Sequence, residues 1–157
     1  IPEYITQMTG ISDLMLTNAP VLDEIFPTFL NFVGQSDETI LVAHNAQFDI
    51  SFLKSASRQL EIAWPKYKSL DTVTIARQIL TKEEVPNCKL STLAEFFGTK
   101  TEPNHRALDD AKATTEILHG LLERLGSFKV STVDQLMEFA KKSAHIHWQS
   151  YWGLSSI

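Results

Sequence analysis

The sequence predicts an α/β fold in which strands alternate with helices. The apolar run Ile40-Leu41-Val42-Ala43 is typical of a short strand buried on both faces. The longest predicted helix runs from Arg106 to about Leu125 and carries apolar residues at helical spacing. One further run, Tyr67 to Leu70, favours a strand, and two strands make a poor sheet. Because the chain also lacks an initiator Met, we expect further amino-terminal strands upstream of it.

Helices are predicted where apolar residues recur every three or four positions after a residue that favours a helix start. In chain order they cover 2–8, 17–33, 45–60, 72–80, 91–97, 106–125 and 131–142. Asp71 is the expected N-cap of the helix at 72–80, and Gly34, Gly98 and Gly126 are expected to end three of the others. The core face of the longest helix is predicted to consist of Ala107, Ala111, Thr114, Leu118, Leu121 and Leu125. We expect a domain over 1–126, followed by a C-terminal helix and tail over 127–157.

Composition excludes several classes of protein. The 157 residues suffice for one domain with a hydrophobic core, and no apolar run approaches the roughly 18 residues that span a bilayer. A net charge of −5 argues against a protein that coats nucleic acid stoichiometrically. The single cysteine, Cys88, cannot form an intramolecular disulfide and favours a reducing, cytoplasmic location. We expect Cys88 to be a packed residue rather than a nucleophile.

Two separated segments carry the residue types of a metal-dependent hydrolase. Asp49 lies in the first helical turn after the predicted strand, where open α/β sheets bind ligands. Asp110 lies beside the apolar stripe of the longest helix, where a carboxylate is costly unless it is paired or metal-bound. His105 is a candidate general base, because histidine side chains titrate near neutral pH. Taken singly, each of the three also has a structural interpretation as a helix cap or a partner of the helix dipole.

Read in order, the two segments resemble motifs of the DEDDh class of 3′–5′ exonucleases, which includes the proofreading epsilon subunit of DNA polymerase III. His44-Asn45-Ala46-Gln47-Phe48-Asp49 is similar to the second motif and 104–111 to the third, while 1–13 resembles the segment after the third strand. The stretches 84–90 and 119–126 resemble actinobacterial members, which are often fused to a module like the endonuclease of excision repair. The resemblance implies a ribonuclease H-like fold, with a mixed central sheet flanked by helices.

The resemblance also implies a role for individual residues. Asp49 and Asp110 would bind two divalent ions, Mg²⁺ or Mn²⁺, and His105 would deprotonate the attacking water. The residues expected at the end of the substrate strand are Met8, Thr9, Gly10, Ile11, Asn45, Phe48 and Phe52. The expected reaction releases nucleoside 5′-monophosphates from DNA 3′ ends in proofreading or repair, with a polymerase or repair nuclease module as partner. The first motif of the family, Asp-x-Glu, has no counterpart here, so we expect this stretch alone to be inactive.

Three alternatives remain open from the sequence. RNA 3′ ends are a rival substrate, since a pocket that reads the 2′-hydroxyl would select RNA. The chain also fits a non-catalytic nuclease-fold module that docks a replication or repair partner, or a helical domain whose acids are all caps. The tail is rich in histidine and aromatic residues, namely His145, His147, Trp148, Tyr151 and Trp152. Two histidines without partner acids are weak as a metal site, so a linker or packing segment is expected there.

Overall fold

The computed structural model describes residues 1–141. In this part of the chain the helices are α1 (Glu3–Thr9), α2 (Asp13–Leu16), α3 (Leu22–Val33), α4 (Ala46–Gln59), α5 (Thr72–Ile79), α6 (Leu90–Phe97), α7 (Ala107–Leu125) and α8 (Val133–Lys141). The strands are β1 (Ile40–Ala43) and β2 (Lys68–Asp71). The five histidine and aromatic residues of the tail lie outside the described residues. Within 1–141, no helix is both long enough and apolar enough to cross a membrane.

The two strands pair in parallel, with Ile40 opposite Lys68 and Ala43 opposite Asp71. Helix α4 connects them, as a parallel pair requires a crossover. The prediction that β1 is buried on both faces is wrong, because its residues are at most half-buried and Val42 is 37% exposed. Leu41, Val42 and Ala43 line an open cleft, so the apolar run is only partly covered. The parallel pairing places the carboxyl ends of both strands at one edge.

The hydrophobic core lies between β2, α5, α6 and α7. Its fully buried members include Ile75, Leu93 and Leu121, and α7 packs against both α5 and α6. Cys88 is buried in this core, as expected for a packed residue. Burial raises the pKa of its thiol, which keeps the sulfur protonated and poorly nucleophilic.

The predicted core face of α7 is only half right. Leu121 and Leu125 are fully buried, but Ala107 and Ala111 are exposed. Ala113 and Ile117 are fully buried instead and continue the stripe toward the amino terminus. The error arose because alanine contributes little apolar surface, so its position in a pattern does not indicate which side of a helix is covered.

Local signals determine most helix ends. Asp71 caps α5 by accepting a hydrogen bond from the backbone N–H of Val73 at 2.9 Å, as predicted. Gly98 ends α6 with φ 63°, in the left-handed region. Gly126 follows the last residue of α7, as predicted, but its φ of −54° is not left-handed and the chain continues as a 3-10 turn through Phe128. Lys129 takes the left-handed conformation instead, with φ 59°.

Helix α8 follows this turn and packs against α5 and β2. Its half-buried residues, among them Leu136 and Met137, contact the core cluster. Thr132 and Gln135 form reciprocal hydrogen bonds at its start, each accepting from the other's backbone N–H at 3.2 Å. The domain boundary at residue 126 stays a prediction.

Candidate active site

Three segments that are distant in the sequence line one open cleft of about 1080 Å³. They are the end of α1, the junction of β1 with α4, and the turn before α7 together with the first turns of that helix. The predicted site residues that line the cleft are Thr9, Gly10, Ile11, Phe48, Asp49, His105 and Asp110. The other three predicted residues, Met8, Asn45 and Phe52, are not among the lining residues of this cleft.

The junction of β1 and α4 is held by the carboxylate of Asp71. One oxygen, Oδ1, accepts the backbone N–H of Asn45 at 3.0 Å as well as that of Val73. Asn45 adopts a left-handed conformation with φ 67°, which asparagine tolerates better than most residues. This turn starts α4 at Ala46, so the exposed side chain of Asp49 comes to line the cleft from the first helical turn.

His44 has a structural contact at the same junction. Its Nδ1 lies 2.9 Å from the hydroxyl oxygen of Thr72, at the start of α5. Burial lowers the pKa of His44, although the nearby carboxylate of Asp71 acts in the opposite direction. The imidazole therefore favours its neutral form and joins the carboxyl ends of the two strands.

Asn104 organises the turn that precedes α7. Its backbone N–H donates to Oδ1 of Asp110 at 3.1 Å, and its side-chain amide donates to Oδ2 of Asp109 at 2.9 Å. Its own Oδ1 accepts the backbone N–H of Arg106 at 3.0 Å. These bonds enclose His105, which takes a left-handed conformation with φ 63° and lines the cleft. Asn104 was not predicted as a site residue, although asparagine is a common turn residue because its side chain hydrogen-bonds to backbone two residues on.

The cleft gathers oxygen donors that suit a hard divalent cation. Asp49 faces it from α4, and the half-buried Asp109 and Asp110 face it from α7. Carboxylate oxygens are the ligands that Mg²⁺ and Mn²⁺ prefer. Among residues 1–141, no three His, Cys, Asp or Glu side chains are grouped closely enough to hold a metal ion. The chemistry of these donors fits such an ion, and within the described residues they form an incomplete set of ligands.

Two exposed phenylalanines stand at the α4 side of the cleft. The rings of Phe48 and Phe52 meet edge to face with centroids 5.0 Å apart. Phe48 is 60% and Phe52 63% exposed, so neither belongs to the core. Met8, at 48% exposure, lies near the end of α1 but not on the cleft wall. Exposed aromatic rings beside a cleft offer a surface on which a planar ligand can stack.

Known proteins resemble this chain over most of its length. A family model described as exonuclease, named for RNase T, matches residues 1–118. A protein of Mycobacterium tuberculosis named as a bifunctional exonuclease/endonuclease is 45% identical over 139 residues, which are 88% of this chain and 21% of that protein. The PolC-type DNA polymerase III of Caldanaerobacter subterraneus is 40% identical over 136 residues, or 87% of this chain and 9% of that protein. The chain thus spans about a fifth or less of these two relatives.

Two further proteins, one matched by sequence and one by structure, also resemble this chain. The DNA polymerase III epsilon subunit of Aquifex aeolicus is 38% identical over 125 residues, covering 80% of this chain and 59% of that protein. Among solved structures, exonuclease X in complex with 5′ overhanging duplex DNA superposes with a TM-score of 0.59 at 20% identity. That match covers 88% of this chain and 73% of the other, and it supports the ribonuclease H-like fold.

Proposed function

The chain belongs to the exonuclease family, and from this premise we propose that it is a metal-dependent 3′–5′ exonuclease acting on DNA. The reaction releases nucleoside 5′-monophosphates from the 3′ end of a strand. Family membership and the ribonuclease H-like fold confirm the resemblance seen in the sequence. The substrate and the role of each residue are our proposal.

The observation that carries the proposal is the meeting of Asp49, His105 and Asp110 at one cleft. Exonucleases of this type generally use divalent metal ions, and we assign Asp49 and Asp110 as carboxylate ligands of two Mg²⁺ or Mn²⁺ ions. When bound, such ions polarise the scissile phosphate and offset charge on the leaving 3′ oxygen. His105 takes the proton of the attacking water, which its exposed position at the cleft allows.

The walls of the cleft supply the contacts to the strand end. Thr9, Gly10 and Ile11 lie on the α1 side of the cleft, where they would flank a terminal nucleotide. Phe48, with Phe52 beside it, offers an exposed ring for base stacking. We assign Met8 and Asn45 to the neighbourhood of the strand end rather than to direct contact, since neither lines the cleft.

The setting of the reaction is DNA proofreading or repair. The relatives named above include two DNA polymerase III proteins and a bifunctional exonuclease/endonuclease. A polymerase or a repair nuclease module is therefore the proposed partner, in the same or another chain. The single cysteine agrees with a reducing, cytoplasmic location.

The test is digestion of 3′-end-labelled single-stranded DNA by the full-length protein, with Mn²⁺ and with a chelator. We expect mononucleotide release that the chelator abolishes. His105→Ala should lower the rate by about 100- to 10,000-fold, as loss of a general base does. The matched control is His119→Ala, which removes an exposed histidine of α7 that does not line the cleft.

Each alternative predicts a different result. A non-catalytic docking module releases no nucleotides with or without Mn²⁺, and that result would overturn the proposed activity. Equal activity of His105→Ala and His119→Ala would remove His105 from the chemistry. An RNA-directed enzyme digests an RNA strand of the same sequence faster than the DNA strand.

A further inference from the structure

We propose that Arg106 binds a phosphate of the DNA strand and so positions the strand end beside His105 and Asp110. The proposal rests on the proposed function and adds a residue that binds the backbone of the substrate. Arg106 directly precedes α7 and lines the cleft.

The guanidinium of Arg106 extends across the cleft to the end of α1. A methyl group on Gly10 would lie 2.9 Å from its Nη2 and 3.4 Å from its Cζ, so the guanidinium lies directly over this glycine. Gly10 has φ 73°, a conformation that favours glycine, and its lack of a side chain leaves the space above it open for the guanidinium. Arg106 therefore reaches both segments between which a strand end would enter.

The charges around the cleft make this position informative. Arg106 is the only lysine or arginine among the described residues that line it, whereas Asp49, Asp109 and Asp110 all carry carboxylates. Within residues 1–141, Arg106 forms no ion pair with any of these acids. Asn104 instead occupies one oxygen each of Asp109 and Asp110. The exposed guanidinium thus keeps its donors available.

Phosphate is the ligand that suits such a group. A nucleic-acid strand is repelled by an acidic cleft, so an unpaired cation at its wall lowers the cost of entry. The planar guanidinium presents parallel N–H donors that match two phosphate oxygens, which a lysine ammonium cannot do in the same geometry. A contact of this kind fixes the register of the strand without reading its sequence.

The competing explanation is structural, namely that Arg106 only holds the end of α1 in place. The experiment separates the two with a set of DNA strands that each carry one neutral methylphosphonate at a different linkage near the 3′ end. Full-length protein, Arg106→Ala and Arg106→Lys are compared by kcat/KM on each strand. Arg58→Ala is the matched control, because Arg58 is exposed in the last turn of α4 and does not line the cleft.

We expect Arg106→Ala to lower kcat/KM about 10- to 100-fold on unmodified DNA, the usual range for a hydrogen bond to a charged partner. At one linkage the methylphosphonate should slow the wild type by a similar factor and leave Arg106→Ala unaffected. Arg106→Lys should recover part of the loss, and Arg58→Ala should behave as wild type. An equal loss on every strand, together with a lower melting temperature, would establish the structural role and overturn the proposal.

Binding gives a readout that does not depend on the chemistry. Anisotropy of a labelled DNA 3′ end in a chelator should show weaker binding by Arg106→Ala, and a salt dependence of log K shallower by about one. If the full-length protein releases no nucleotides and the proposed reaction fails, this binding difference still tests Arg106. Unchanged binding and salt dependence in Arg106→Ala would refute the phosphate contact even when the nuclease is active.

Discussion

The two ends of α7 serve different purposes although they belong to one continuous helix. Toward its carboxyl end, Ala113, Ile117, Leu121 and Leu125 have no exposed surface and pack under α5 and α6. At its amino end Leu108 is 66% exposed, and the acids beside it line the cleft. Within about two turns the helix changes from a buried part of the core to a wall of the cleft, because α5 and α6 do not cover its amino end. Stability and activity should therefore be separable along it.

The largest expected effect is on activity alone. Asp110→Asn keeps the shape of the side chain and an oxygen for the N–H of Asn104, but removes the charge. We expect the exonuclease rate to fall by about 100- to 10,000-fold, the range seen when a positioned catalytic group is lost. The thermal midpoint should remain close to that of wild type. A large drop in midpoint without selective loss of activity would break the proposed division of α7.

A change at the carboxyl end of α7 should lower stability and leave activity unchanged. Leu121→Ala removes a fully buried side chain from the core cluster and should lower the free energy of unfolding by about 2–5 kcal/mol. Activity per folded molecule should be unchanged at low temperature. Urea titration followed by circular dichroism measures the first quantity, and digestion corrected for the folded fraction measures the second.

Gly120 and Gly126, at the carboxyl end of α7, should respond in opposite ways to replacement by alanine. A methyl group on Gly120 would lie 2.4 Å from the Phe97 ring, so Gly120→Ala should destabilise the fold by about 1–3 kcal/mol. Gly126 has open space around it and φ −54°, so Gly126→Ala should stabilise by about 0.4–1 kcal/mol. Thermal melts of both variants check this, and similar shifts for the two would contradict it.

Asp71 is expected to affect both the stability of the fold and the geometry of the candidate active site. Asp71→Ala removes the acceptor for the N–H groups of Val73 and Asn45, at a cost of about 0.5–2 kcal/mol in unfolding free energy. It should also reduce activity, less than Asp110→Asn does, because the turn that carries Asp49 loosens. Asp71→Asn keeps an acceptor and should recover most of both losses. Full activity in a destabilised Asp71→Ala would show that the junction tolerates this change.

The smallest expected effect concerns pH. Since burial lowers the pKa of His44 below its usual 6.5, the unfolded chain binds this proton more tightly than the folded one. The contribution of His44 to stability is therefore complete above about pH 6.5 and declines as the pH falls toward the lowered value. Melts from about pH 8 to about pH 5 should show a shallower decline in His44→Gln than in wild type. Parallel curves would show that His44 does not contribute.

Local sequence signals predicted most of the elements, although α2 was not predicted and α3 begins at Leu22 rather than at the predicted Thr17. The span of β1 and the cap at Asp71 were predicted correctly, and the limits of α7 were nearly so, because capping and periodicity act within one or two turns of the chain. The burial of β1 and of the amino-terminal part of the α7 stripe, at Ala107 and Ala111, was predicted wrongly. Both depend on which elements cover a surface, and hydrophobic spacing gives no information about where coverage ends.

Some residues of the candidate site were found from the sequence, and others only in the folded structure. Its acids and histidine were recognised by motif, and seven of the ten predicted residues line the cleft. Asn104 and Arg106 were missed, since a turn asparagine and a surface arginine are ordinary in a sequence. Their hydrogen bonds and their position over Gly10 distinguish them only in three dimensions.

Residue type and short-range spacing were enough to identify the family, the residues of the two motifs and most of the helices and strands. Tertiary packing determined which parts of β1 and α7 line the cleft. It also brought the guanidinium of Arg106 over Gly10, across most of the length of the chain. The physical reason is that exposure and charge pairing depend on neighbours supplied by distant segments, whereas helix starts and strands depend on neighbours along the chain.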